Sequence, residues 1–209
     1  MNSIFLDANI LFSWNLNHLI MFFSDSKIGL VQPYWSDAVI VEAVKNIMKA
    51  ERAENVKNVE ARFAKMNEAF PLALVSGYEN LLNVAGVDEK DQHVAKAALH
   101  SECRFLVTEN IPDFIKGNFN GGLKVITPDA LLTALVKKHS EKSFKATALA
   151  WWHKNSAGTF DEYLVFLGRR TSGLGLSHFE REIRSYINIS EKATEEVKNE
   201  ALMGEERRY

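Results

Sequence analysis

A chain of 209 residues can bury a substantial core, as one domain or as one domain with an appendage. Its 46% hydrophobic and 25% charged content is that of a globular protein, and no apolar run reaches the roughly 18 residues of a membrane-spanning helix. The formal net charge of -2 excludes a global basic field without forbidding a nucleic-acid partner, and the single cysteine excludes an internal disulfide.

The opening residues Met1-Asn2-Ser3-Ile4-Phe5-Leu6-Asp7 lack the basic segment and small-residue cleavage site of a signal peptide, so the expected location is the cytoplasm. Within them Ile4, Phe5 and Leu6 form an apolar run without polar alternation, the pattern of a central parallel strand buried on both faces. A helix is predicted next, through Leu16, Leu19, Ile20, Phe22 and Phe23, and then a second strand over 30–35. Ser36 or Asp37 caps a helix that runs to about Ala50. A charged helix over 53–69 follows, and the apolar stretch 72–75 reads as a strand or the start of a helix. Residues 76–87 contain two glycines and read as a connection with room for a short helix. Asp88 opens another predicted helix, through Val94, Ala97 and Ala98; Cys103 after it reads as a buried, inert thiol. Residues 105–107 and 123–126 are two further unalternating strands, and Pro128 suits the first turn of the helix carrying Leu131, Leu132 and Leu135.

Strands alternating with helices predict an α/β fold whose parallel sheet is covered on both faces. Such sheets bind ligands in the crevice beyond the carboxyl ends of their strands, and Asp7 and the segment 108–113 both fall just past a strand. After about Ala134 the alternation stops. Helices are predicted over 144–154, 160–170, 177–187 and 191–203, punctuated by Gly158, Gly173 and Gly175. The expected organisation is an α/β domain over 1–136 and a helical C-terminal extension over 137–209. Residues 137–189 carry a net charge of +4, and their lysines and arginines, with Trp151, Trp152 or His153 for stacking, suit contacts to nucleic acid. The same pattern equally describes an amphipathic helical layer with solvated bases and packed tryptophans.

Four acidic residues stand at the edge of apolar segments or inside them: Asp7, Glu42, Asp91 and Asp113. A lone carboxylate is costly there, and one shared divalent cation accounts for all four. Each also has a structural reading. Asp7 suits the cap of the following helix, a task Asn9 can share. Glu42 falls on the flank of a helix whose core stripe is predicted as Ile40, Ala43, Val44 and Ile47, and a solvated flank is the alternative. Asp91 follows Asp88 at the spacing of a capping box, and Asp113 can cap one turn of helix. Carboxylate donors point to magnesium or manganese, because the 6 histidines show no paired zinc spacing and there is no cysteine cluster. Gly-x-Ser-x-Gly, a Walker A loop and Gly-x-Gly-x-x-Gly are all absent, so no covalent nucleophile or nucleotide fingerprint competes.

The context of these acids resembles the PIN-domain nuclease family, in particular the VapC-like toxins of bacterial type II toxin–antitoxin pairs. The resemblance rests on Phe5-Leu6-Asp7-Ala8-Asn9-Ile10-Leu11, on Glu42 in the second helix, and on Asp91-Gln92-His93-Val94-Ala95-Lys96-Ala97-Ala98. It continues through Leu106-Val107-Thr108-Glu109-Asn110-Ile111-Pro112-Asp113-Phe114 to Ile126-Thr127-Pro128-Asp129, covering roughly residues 3–136. It implies a three-layer α/β/α fold with a central parallel sheet, and a magnesium- or manganese-dependent endoribonuclease in which water rather than the 2′-hydroxyl attacks. In the family's pattern Asp7, Glu42, Asp91 and Asp113 are the catalytic and metal-holding quartet, supported by Thr108 and Asn110 and by Asn9 beside Asp7. The resemblance further implies an RNA substrate, a small antitoxin that inserts a segment into the acidic crevice, frequent homodimers and no membrane partner. This chain continues for about seventy residues beyond the end of the small toxins. An RNA-processing or DNA-directed nuclease, or a catalytically weak interaction module, are therefore the alternatives.

Overall fold

The computed structural model describes residues 2–50, 56–119, 122–154, 158–171 and 173–190. Among them five strands make one sheet: β1 (Asn2–Leu6), β2 (Val31–Ser36), β3 (Leu74–Val75), β4 (Phe105–Val107) and β5 (Lys124–Ile126). Their order is β3-β2-β1-β4-β5, and every neighbouring pair is parallel. The flanking helices of this part of the chain are α1 (Ala8–Phe12), α2 (Trp14–Ser24), α3 (Asp37–Ala50), α4 (Val56–Ala69), α5 (Gln92–His100) and α6 (Ile111–Phe114). Then come α7 (Pro128–Lys138), α8 (Ser140–His153), α9 (Phe160–Gly168) and α10 (Ser177–Ile189). The architecture is the expected α/β fold with a parallel sheet and a later helical region. The helix expected over 191–203 and the start of the one expected from 53 lie outside the described residues.

Burial explains why the strands carry no polar alternation. Successive strand residues face opposite sides of a sheet, yet Ile4, Phe5 and Leu6 are all fully buried, as are Leu106 and Val107. Both faces of the two central strands are therefore covered. The chain steps from β1 to β2 and β3, then returns to the other side of β1 for β4 and β5. The strand order thus reverses between β1 and β4, which is where open parallel sheets bind ligands. Leu6 pairs with Val107, so the residues after them, Asp7 and Thr108, emerge abreast at that switch point.

Several elements depart from expectation. The helix after β1 is broken in two: Ser13 ends α1 in an extended conformation, and its hydroxyl accepts from the Leu16 N–H at 3.4 Å to start α2. On α3 the buried line is Val39, Ala43 and Ile47, with Ile40 and Val44 only half-buried, so Val39 takes a core place expected for those two. That helix is apolar nearly all round, and composition alone does not choose its inward face. Ser36, with its hydroxyl 3.4 Å from the Val39 N–H, is the capping residue before it. The capping box expected at Asp88 and Asp91 is not formed: the Asp88 side chain caps nothing, and Asp91 begins no pairing back to it beyond its N–H on the Asp88 carbonyl. Asp113 likewise sits inside α6 instead of capping it.

The loop before Asp91 is clasped to the chain after Asp113. Gly86 has φ +87, and a Cβ there would lie 2.0 Å from the Lys116 carbonyl oxygen, so only glycine fits. Beside it the Ala85 carbonyl accepts from Asn118 N–H at 2.8 Å.

By internal packing the described residues form two compact units, one within 2–17 and 31–127, the other within 18–30 and 128–190. The sheet unit so defined ends before α7, which packs on α10 and α8. In the helical unit several basic side chains are engaged. Arg184 pairs with Asp161 and Glu180, Lys137 with Glu182, and the Lys154 ammonium lies 4.3 Å from the centre of the Phe166 ring. His153 stacks on Phe22 and Trp151 packs edge-on against Phe160. These contacts match the amphipathic-layer reading of this region. No helix among the described residues is long and apolar enough to cross a membrane.

Candidate active site

Asp7 follows the last residue of β1, and its N–H extends the pairing with β4 by donating to the Val107 carbonyl at 3.1 Å. Its carboxylate caps α1, with Oδ1 accepting from Ala8 N–H at 2.6 Å. Capping leaves the second oxygen for other work. Oδ2 accepts from the Thr108 hydroxyl and from the Asn9 amide, both at 2.6 Å. Asn9 also donates to Thr108 Oγ1 at 2.9 Å and accepts from Glu109 N–H at 3.2 Å, while Thr108 Oγ1 accepts from Asn110 N–H. Asn9 and Thr108 thereby staple the ends of β1 and β4 around a carboxylate that is only 6% exposed. Burial raises the Asp7 pKa above the ordinary range; the Thr108 and Ala8 hydrogen bonds oppose this, and the charge of Glu42 adds to it.

Asp91 enters on a single turn of 3-10 helix, Glu89–Asp91, directly before α5. Gln92 fixes this entry point: its side chain is buried, accepts from Val84 N–H at 2.7 Å and donates to the Val84 and Val87 carbonyls at 3.0 and 2.8 Å. Among the described residues the buried Asp91 Oδ2 atom has no hydrogen-bond partner. Burial raises the Asp91 pKa, Lys90 opposes, and Asp113, Asp7 and Glu42 each raise it further. All four acids therefore share one electrostatic neighbourhood. Asp113 differs in sign: Lys90 donates to its Oδ2 at 2.9 Å and the Asn110 amide donates to the same atom, holding this carboxyl below the ordinary range. The Lys90 ammonium is also 3.7 Å from Asp91 Oδ2.

Glu42 reaches the cluster from α3 and is 3.0 Å from His93 Nε2, while His93 Nδ1 is 3.0 Å from the Lys90 carbonyl oxygen. Both ring nitrogens thus face oxygen acceptors, and the ring braces α3 against the start of α5.

The structure brings Asp7, Glu42, Asp91 and Asp113 together at the switch point, with Asn9 and Thr108 on Asp7 and Asn110 on Asp113. Sequence reasoning missed Lys90, Gln92 and His93. Their only signal was adjacency to Asp91, since a lysine in an acidic segment and a histidine in a first turn both look like solvated surface. Among the described residues no three His, Cys, Asp or Glu side chains stand in a ready-made metal-holding arrangement. The donor type nonetheless fits a hard divalent ion, and the buried Asp91 Oδ2, which among the described residues has the Lys90 ammonium at 3.7 Å and no hydrogen bond, is an atom such an ion would satisfy.

No curated protein and no solved structure matches the chain. Residues 3–112 match the PIN domain, a span that holds Asp7, Glu42 and Asp91 and stops just short of Asp113. With more than half its length so matched, over the elements that carry three of the four acids, the chain belongs to the PIN domain family, a nuclease superfamily whose members typically depend on a metal.

Proposed function

We propose that this protein is a metal-dependent ribonuclease that hydrolyses RNA phosphodiester bonds. The observation that carries the reading is the convergence of Asp7, Glu42, Asp91 and Asp113 where the strand order of a PIN-domain sheet reverses. These four carboxylates would hold magnesium or manganese, which when bound supplies charge neutralisation at the phosphate and activation of water. The chain's own residues set the stage for it. Thr108 and Asn9 keep Asp7 in one orientation despite its burial, and His93 positions Glu42. Lys90 and Asn110 keep Asp113 ionised, so that at least one acid stays charged while its neighbours repel one another.

Purified protein should cleave RNA with manganese and not with chelator, leaving 5′-phosphate and 3′-hydroxyl ends. Asp91→Asn should lower the rate by about a hundredfold or more, beyond the effect expected of a merely supporting residue. Undiminished cleavage by that variant would remove Asp91 from the site, and intact RNA under all conditions would favour an interaction module. The finer form of the proposal is the toxin of a toxin–antitoxin pair with a small antitoxin as partner. Expression should then arrest growth, and coexpression of the product of a neighbouring small gene should relieve it. Normal growth with cleavage intact would instead favour an RNA-processing or DNA-directed nuclease.

A further inference from the structure

Helices α1 and α3 pack on each other, and both carry residues away from the acidic cluster. Asp7 caps α1, which then presents Asn9 and Phe12; Glu42 lies in the second turn of α3, which then presents Asn46 and Lys49. Spacings of four and seven residues put Asn46 and Lys49 on the same helical face as Glu42. At 1.5 Å per residue they stand about 6 Å and about 10 Å further along the axis. Asn9, Phe12, Asn46 and Lys49 line one open hollow of about 480 Å³, within the roughly 300–1,000 Å³ range of pockets that hold small ligands.

The lining states what would fit. Phe12 leaves 40% of its surface uncovered, although an apolar ring gains by being covered. Lys49 is the charged residue of the lining and is exposed. The amide of Asn9 is occupied by Asp7, Thr108 and Glu109, so Asn9 serves as the wall shared between hollow and acids, leaving Asn46 as the amide for a ligand. One aromatic face, one amide and one cation are the contacts a single nucleotide asks for: stacking for the base, an edge for its hydrogen bonds, and a charge for its phosphate. An apolar peptide anchor would be served poorly by two asparagines and a lysine.

We propose that this hollow is a nucleotide subsite for a single-stranded nucleic acid, taking the nucleotide next to the scissile phosphate, with its base on Phe12 and its phosphate on Lys49. The proposal rests on the nuclease reading and adds to it the direction in which the strand leaves the acids, along the α1–α3 seam.

Fluorescence anisotropy with labelled single-stranded RNA and DNA oligonucleotides, in calcium in place of manganese, tests it. Phe12→Ala should weaken binding about tenfold and Phe12→Tyr should restore it. Lys49→Ala should weaken binding about threefold and lower the salt slope by about one. Single abasic replacements along the oligonucleotide should reveal one position where loss of the base weakens binding to the unaltered protein and not to Phe12→Ala. Equal effects on RNA and DNA fit a subsite that reads base and phosphate, and an effect on RNA alone fits one that also reads the sugar. Unchanged affinity in both Phe12→Ala and Lys49→Ala, with manganese-dependent cleavage intact, overturns the subsite and leaves the nuclease standing. Absence of both nucleic-acid binding and cleavage in the unaltered protein overturns the two together. Because Phe12 is partly exposed and Lys49 lies on the surface, unchanged thermal midpoints will show that each variant is folded.

Discussion

Burial raises the pKa of Asp91, with Lys90 opposing and Asp113, Asp7 and Glu42 adding to the rise, and burial does the same to Asp7. A carboxyl with a higher pKa folded than unfolded takes up its proton first in the folded state, so stability falls as pH rises through that interval. Asp113 has the opposite sign, because Lys90 lowers it, and its contribution is lost only as pH falls below the ordinary value of 3.8. Metal-free protein should therefore gain stability from Asp7 and Asp91 as pH falls through their raised pKa values toward the ordinary 3.8. Asp91→Asn should flatten this slope and raise the urea midpoint at neutral pH; a variant less stable than the parent there would refute it. Lys90 makes a separate prediction. Its ammonium already occupies space between Asp113 and Asp91, so Lys90→Met should tighten manganese binding, by roughly threefold in a calorimetric titration. Weaker binding would mean that Lys90 orders the acids more than it competes for them.

At the scale of elements, Asp91 is placed by a loop that has little regular structure of its own. Gln92 bridges that loop to α5, and Gly86 lets it lie against the carbonyl of Lys116. Gln92→Ala leaves buried backbone groups of Val84 and Val87 unpaired and should cost about 2 kcal/mol in urea unfolding, with manganese affinity reduced in step. Unchanged affinity at reduced stability would confine Gln92 to packing. The elements themselves were unevenly legible in the sequence. β1 and β4 could be read because burial on both faces demands unbroken apolar runs such as Ile4-Phe5-Leu6. The break at Ser13 could not, since the apolar period runs straight across it. Nor could the inward face of α3, where Val39 competes with Ile40 on equal terms. Among site residues Asp7 and Thr108 announced themselves by following strands, whereas His93 and Lys90 act through partners 51 and 23 positions away, a relation that no local pattern encodes.

For the molecule as a whole, a ligand that binds only the folded state stabilises it by mass action. Manganese at a hundred times its dissociation constant should add about 2.7 kcal/mol to unfolding of the unit that holds the sheet. Chelator should reverse the gain, and Asp91→Asn should abolish it. α7 follows β5 directly, and in the sequence its leucines look the same whichever neighbour they cover. Strand order carries a last consequence. β1 is made before β4, so one of its edges stays bare until Phe105 has been made. A nascent or broken chain ending sooner presents an open apolar ribbon, the kind that recruits other chains into aggregates, and it lacks Thr108 and Asp113 as well. Fragments that end before Phe105 should therefore be sticky and, on the proposed nuclease reading, unable to cleave.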